Sequence, residues 1–284
     1  MYEKILVPLD GSRVAEVALS SAEDLARRLD SRIVLLSIAE SAEAQDYHKQ
    51  EIYLSNIAAD ISKREKEQPE LFQGKGLNID SVVLVGQPAE EIIRYSNQEN
   101  ISLIIMSTHG HSGIKRWTLG RMTDRVLRAT ERPLVLVRAG NTGAGNDSKG
   151  ILFHKVVISL DGSEESEAVI SPIAELAARL QTEVTLLQVV ARSYRVYADA
   201  EAYLETVLHL LRSKGINANS VVRMGTAANE IIKLADETKA DIVAMSTHGR
   251  SGIRQWAIGS VADRVLRRGN SHVLLVRSHQ TRNI

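Results

Sequence analysis

One long stretch of this chain is written twice. MSTHGHSGIKRWTLGR at 106–121 returns as MSTHGRSGIRQWAIGS at 245–260, 139 positions later. Its surroundings repeat in the same order. KILVPLDGS (4–12) matches KVVISLDGS (155–163), and RIVLLSIAE (32–40) matches EVTLLQVVA (183–191). VVLVGQPAEEII (82–93) matches SVVRMGTAANEII (220–232), and DRVLR recurs at 124–128 and 263–267. Collinear self-similarity of this length marks a tandem duplication of a whole folding unit. At ~100–200 residues per domain, 284 residues accommodate two such units, each able to bury its own core. The expected boundaries are 1–139 and 154–284, joined by 140–153. The segment AGNTGAGNDSKG at 139–150 reads as a flexible linker. Its glycines lack the full G-x-G-x-x-G spacing of a dinucleotide fingerprint.

The copies differ in one interval. Asp10 and Asp161 are 151 positions apart, whereas Gly110 and Gly249 are 139 apart, so the first copy carries twelve extra residues. They fall in the charged stretch 41–76. It reads as a longer helix with a polar end, an insertion that a surface tolerates. HKQE and KREKE within it are expected to form a solvated face.

Each copy alternates short β-branched runs with amphipathic stretches. ILVPL, IVLLSI, VVLV, LIIMS and LVLV are almost wholly apolar, as strands covered on both faces are. EVALSSAEDLARRL spaces its apolar residues along one helical face. Asp10 with Ser12, or Asp161 with Ser163, can cap this helix. Repeated βα units predict an α/β fold of two tandem doubly wound, parallel five-stranded sheets, with helices on both faces.

Charge and composition narrow the function classes. Thirty-five Lys and Arg balance thirty-five Asp and Glu, which leaves none of the basic excess of a nucleic-acid-binding domain. There is no cysteine, hence no disulfide or thiolate chemistry. No run approaches the ~18–20 apolar residues of a membrane helix. MYEKILVPLDG lacks a signal peptide's apolar core, so a cytoplasmic protein is expected.

In such a sheet, ligands bind beyond the carboxyl ends of the strands where strand order reverses. The long motif begins at such an end. Gly249, Gly252 and Gly259, like Gly110, Gly113 and Gly120, permit tight turns and close approach of backbone to a ligand. SVADRVLRR after Gly259 has helical periodicity, which puts Ser260 at a helix start, where N–H groups and the helix dipole favour an anion. No G-x-x-x-x-G-K-[ST] loop occurs.

On these segments the chain resembles a tandem universal stress protein over nearly all of both halves. That family's nucleotide-binding pattern is Gly-x2-Gly-x9-Gly-Ser/Thr after the fourth strand. The second copy reads Ser246-x2-Gly249-x9-Gly259-Ser260 and departs only at the first glycine. The first reads Ser107-x2-Gly110-x9-Gly120-Arg121 and departs at both ends. The resemblance implies ATP, accompanied by Mg²⁺, bound chiefly in the second copy. Ser159, Leu160 and Asp161 then hold the adenine and ribose region, and Val189 packs on adenine. Met245 precedes the motif. Gly249, Gly259 and Ser260 contact ribose and phosphate, and Val261 and Ala262 supply further helix-start groups. The corresponding positions of the first copy are Pro8, Leu9, Asp10, Ile38, Met106, Gly110, Gly120 and Arg121. The family also pairs its fifth strands across a two-fold axis. Here the two copies can supply both partners within one chain, and homodimerisation is left open.

Other residues have ordinary readings. His109 and His248 precede a motif glycine and are read as loop hydrogen-bonding groups, with His248 also a candidate ligand contact. Trp117 and Trp256 are read as packing residues, and the basic RVLR ends as solvated helix termini. The leading function is a regulatory nucleotide-binding protein. The alternatives are a slow ATP hydrolase, for which the sequence offers no assigned general base or metal carboxylate, and a nucleotide-independent scaffold.

Overall fold

The computed structural model describes residues 2–41, 43–67, 76–108, 119–138, 153–191, 194–248 and 258–278. The chain divides into two compact units. Among the described residues the first runs to 138 and the second begins at 153. The expected linker therefore lies almost wholly outside the described residues.

Unit 1 contains β1 (Lys4–Pro8), α1 (Arg13–Leu29), β2 (Arg32–Ala39), α2 (Ala44–Glu67), β3 (Asn78–Val85), α3 (Pro88–Gln98), β4 (Leu103–Ser107), α4 (Arg121–Ala129) and β5 (Leu134–Val137). Its strands run in the order β3-β2-β1-β4-β5, with parallel pairing throughout. Register places Ile5 beside Ile33 and Leu103. Ile5, Leu6, Val7, Leu35, Leu36, Ile104 and Ile105 are fully buried, as expected for strands covered on both faces. Each such side chain contributes ~1.5–3 kcal/mol of burial. Helices α1 and α2 lie side by side, joined by Tyr53 to Glu16 and Arg64 to Glu23. Helices α3 and α4 form the other adjacent pair, linked by Arg125 and Glu90.

Unit 2 repeats the plan with β6 (Lys155–Leu160), α5 (Glu164–Glu167), α6 (Ile170–Leu180), β7 (Glu183–Val190), α7 (Tyr194–Ser213), β8 (Ala218–Met224), α8 (Ala227–Thr238), β9 (Ile242–Ser246), α9 (Ser260–Arg268) and β10 (His272–Val276). Its strand order is β8-β7-β6-β9-β10, again parallel. In both units the order reverses beside the first strand, so a crevice opens past the ends of β1 and β4, and of β6 and β9.

Two differences between the copies have physical causes. The single helix α1 corresponds to two helices, α5 and α6, separated by a turn at Ala168–Val169. Pro172 stands where unit 1 has Ser21. It supplies no N–H to the carbonyl of Ala168, and its ring crowds that carbonyl, so the helical ladder breaks there. The insert shows partly as the length of α2, 24 residues against 20 in α7. Residues 68–75 of the insert lie outside the described residues.

Candidate functional site

The LDGS segments fold identically. Ser12 caps α1 by accepting the Ala15 N–H at 3.1 Å, and Ser163 caps α5 by accepting the Ser166 N–H at 3.2 Å. Asp10 Oδ1 accepts both the N–H and the hydroxyl of Ser12, at 3.0 and 2.6 Å, and Asp161 does the same for Ser163 at 3.0 and 2.5 Å. The intervening Gly11 and Gly162 have φ of +79° and +81°, a backbone state that favours glycine.

At the other strand end, the Thr247 N–H donates to the Val276 carbonyl at 2.9 Å, and the Gly259 N–H donates to the Thr247 carbonyl at 2.8 Å. This second bond seats the start of α9 against the end of β9. Unit 1 makes the same bonds, Thr108 to Val137 and Gly120 to Thr108, both at 3.0 Å. Gly259 has an ordinary φ of −58°. The expectation of a tight turn there needs revision: a Cβ at Gly259 would sit 3.2 Å from the Thr247 carbonyl oxygen, so close backbone approach is what glycine permits.

Helix α9 begins without a side-chain cap. Its first N–H groups are thus left for another acceptor. The one acid in its first turn, Asp263, is held by Arg267 Nε at 2.9 Å to each carboxylate oxygen. Asp124 and Arg128 make the matching pair in α4. This explains the repeated DRVLR: each Asp is paired one turn along its own helix, which offsets the negative charge it would otherwise set beside an incoming anion.

A cavity of about 260 Å³ lies at this crevice in unit 2. From β6 it is lined by Ser159 and Leu160, followed by Asp161, from β7 by Val189, and from β9 by Met245 and Ser246, followed by His248. Gly259, Ser260, Val261 and Ala262 close it from the start of α9. Sequence reasoning named all of these. Gly249 and Gly252, and in unit 1 His109, Gly110 and Gly113, lie outside the described residues, as do Trp117 and Trp256. Among the remaining unit 1 positions, Pro8 ends β1 and Leu9 and Asp10 follow it, Ile38 stands near the end of β2, and Met106 is in β4. Gly120 caps α4, and Arg121 is its exposed first residue.

His248 takes part in loop hydrogen bonding. Its Nδ1 lies 2.9 Å from Thr247 Oγ1, and its backbone N–H donates to Ser246 Oγ at 3.3 Å. Its Nε2 is buried without a partner.

Three lining residues escaped the sequence reading: Ser166, Ala227 and Thr247. The Thr in both MSTHG copies carried a signal for Thr247, since the staple bonds use that position twice. Ala227 opens α8, just after the duplicated VVLVG and VVRMG runs. Ser166 carried no signal, because unit 1 has Ala15 there.

The Universal stress protein family model matches residues 1–138 and again 152–277. The chain belongs to the universal stress protein family. A universal stress protein of Methanocaldococcus jannaschii is 26% identical over 162 residues, covering 50% of this chain and 98% of the relative. A second from that organism is 32% identical over 141 residues, covering 44% and 83%. Among solved structures, a universal stress protein from Archaeoglobus fulgidus matches with a TM-score of 0.72 at 21% identity, over 98% of this chain and 100% of its own, a likeness of fold. Each of these two relatives thus matches about half of this tandem universal stress protein. Among the described residues, no helix is long and apolar enough to cross a membrane.

Proposed function

We propose that this universal stress protein binds an adenine nucleotide as a regulatory ligand, with ATP held chiefly in unit 2. The observation that carries this reading is the uncapped start of α9 opening into the 260 Å³ cavity, which Asp161 also lines. Helix-start N–H groups and the Ser260 hydroxyl suit phosphate oxygens. Leu160, Val189 and Met245 offer apolar surface to a base, and the Asp161 carboxylate accepts a sugar hydroxyl. The cavity falls just below the ~300–1,000 Å³ of small-ligand pockets, so the phosphate tail extends along α9 beyond it. Among the described residues no group of acids and histidines could hold a metal. Mg²⁺ would arrive with the nucleotide, coordinated by its phosphates. We further propose that β5 and β10, each last in its own unit's strand order, pair within one chain.

Isothermal titration with Mg-ATP tests the site. The wild type is expected to show saturable binding. Gly259→Val puts a branched side chain against the Thr247 carbonyl and displaces the start of α9, and is expected to weaken binding about tenfold or more, at least ~1.4 kcal/mol. Unchanged affinity in this variant would overturn the placement.

A further inference from the structure

We infer that Arg264 reads the length of the phosphate tail in unit 2, closing on the phosphates that follow the first. This rests on the adenine-nucleotide reading above and deepens it. Helix α9 opens at Ser260, which lines the cavity. Arg264 lies one turn on, and residues at i and i+4 share a helix face with Cβ atoms about 5–6 Å apart. Helical side chains lean toward the N-terminus, so a long side chain at 264 covers the first turn of α9. Both residues are exposed. Among the described residues, no hydrogen bond or ion pair holds Arg264. The acid beside it in the chain, Asp263, belongs to Arg267.

Unit 1 shows where a side chain at this position reaches. Arg125, the counterpart of Arg264, crosses from α4 to Glu90 in the first turn of α3, with Nη2 3.2 Å from Oε1. The matching first turn of α8 packs beside α9 and begins with Ala227, which lines the cavity. There Asn229 stands in place of Glu90. The acid that remains in that turn, Glu230, is held by Arg223 at 3.6 Å. One change of residue thus removes both the carboxylate that would hold the arginine and a negative charge that would repel a phosphate. A free guanidinium between the starts of α8 and α9 suits phosphate oxygens. It stands one turn past the N–H groups that take the first phosphate, so AMP does not reach it and longer tails do.

The experiment titrates the full chain with AMP, ADP and ATP in the presence of Mg²⁺, as wild type and as Arg264→Gln, Arg268→Gln and Asn229→Glu. All three positions are exposed on helices, so the variants fold. Arg264→Gln is expected to keep its affinity for AMP and to lose roughly fivefold for ATP, the scale of a partly exposed charge pair. Asn229→Glu rebuilds the pair of unit 1 and is expected to lower the ATP-to-AMP ratio in the same way. Arg268→Gln removes an equal charge one turn farther from the helix start and is expected to leave that ratio close to the wild type's. The inference is overturned if Arg264→Gln changes all three nucleotides equally or none of them, or if Asn229→Glu leaves the ratio unmoved. It is also overturned if Arg268→Gln lowers the ratio as far as Arg264→Gln does, since general charge attraction would then account for the loss. A wild type that binds none of the three overturns the adenine-nucleotide reading itself, a result readily told apart from binding with unmoved ratios.

Discussion

At the scale of single residues, the two crevices share a backbone and differ in side chains. The bonds that seat α4 and α9 are the same to within 0.2 Å, at 3.0 and 2.8 Å, and neither helix has a side-chain cap. Among the changes are Ser260 to Arg121, Ala262 to Thr123 and Ser166 to Ala15. Thr123 turns its hydroxyl to the Ser107 carbonyl at 3.2 Å, a bond Ala262 cannot make. Arg121 keeps its backbone N–H but offers no compact hydroxyl. Under the nucleotide proposal, its guanidinium would either clamp a phosphate from the side or occupy the phosphate's place. Unequal sites are the expected outcome: unit 2 is expected to bind ATP more tightly, and unit 1 to bind weakly, take a shorter adenine nucleotide, or stay empty. Titration stoichiometry is expected to show one tight site per wild-type chain and a stronger second site in Arg121→Ser. Two equal sites in the wild type, unaltered by the substitution, would remove any functional meaning from the change.

At the scale of elements, the copies use different chemistry for one mechanical task. The start of β1 is tied to β4 by Ser102, whose hydroxyl accepts the Glu3 N–H at 3.2 Å and the Lys4 N–H at 3.5 Å. In unit 2 Asp241 takes this role, accepting the His154 and Lys155 N–H groups at 2.8 Å each. The helix pairs diverge more. Glu23 of α1 is 4% exposed and bonded to Arg64 of α2 at 2.8 Å. Unit 2 has Ala174 and Lys214 at the matching positions. Burial raises the Glu23 carboxyl above its ordinary value of 4.5, and the Arg64 charge opposes that rise. Arg64→Ala removes the opposition and leaves a buried acid without its cation, at a cost of about 1–3 kcal/mol given that the Arg64 side chain is half exposed. The sign of the pH effect is fixed by the raised value. The folded state holds the Glu23 proton more tightly than the unfolded chain, so this group's stabilisation is present below the ordinary carboxylate range. It is lost as pH rises through the folded value. Urea denaturation at acid and neutral pH is expected to show a larger loss of stability with rising pH in Arg64→Ala than in the wild type. Equal pH dependence would mean that Glu23 does not titrate in place.

At the scale of the whole molecule, each unit encloses its own core. The first is built on Leu6, Leu35 and Ile104, and the second on Ile158, Leu186 and Ala244, all fully buried. The proposed pairing of β5 with β10 would bring the two units together within one chain. A connection of twelve residues, 139–150, reaches ~3.3–3.6 Å per residue when extended, ample for this. Cysteines introduced singly into the two fifth-strand regions are expected to crosslink within one chain at high dilution. Crosslinks that form only between chains would contradict the arrangement.

Much of this was legible in the sequence because duplication and periodicity are written along the chain. Two copies in the same order gave the two-unit organisation, and apolar runs of strand length between amphipathic stretches gave the parallel sheets. The cavity-lining positions from Ser159 to Asp161 and from Gly259 to Ala262 stood out because motifs at strand ends and helix starts are local in sequence. Tertiary structure decided what depends on distances between separate elements. The need for glycine at 259 lies in the Thr247 carbonyl 3.2 Å from where a Cβ would be, and periodicity carries no record of that contact. Glu23 reads as one more polar residue of an amphipathic helix until Arg64, 41 positions away, is seen beside it. Ser166 reads as a serine in a helix's first turn. Only the fold shows it lining the cavity with its proton given to the Ser163 carbonyl, because what a side chain can still offer depends on the partners that folding has supplied.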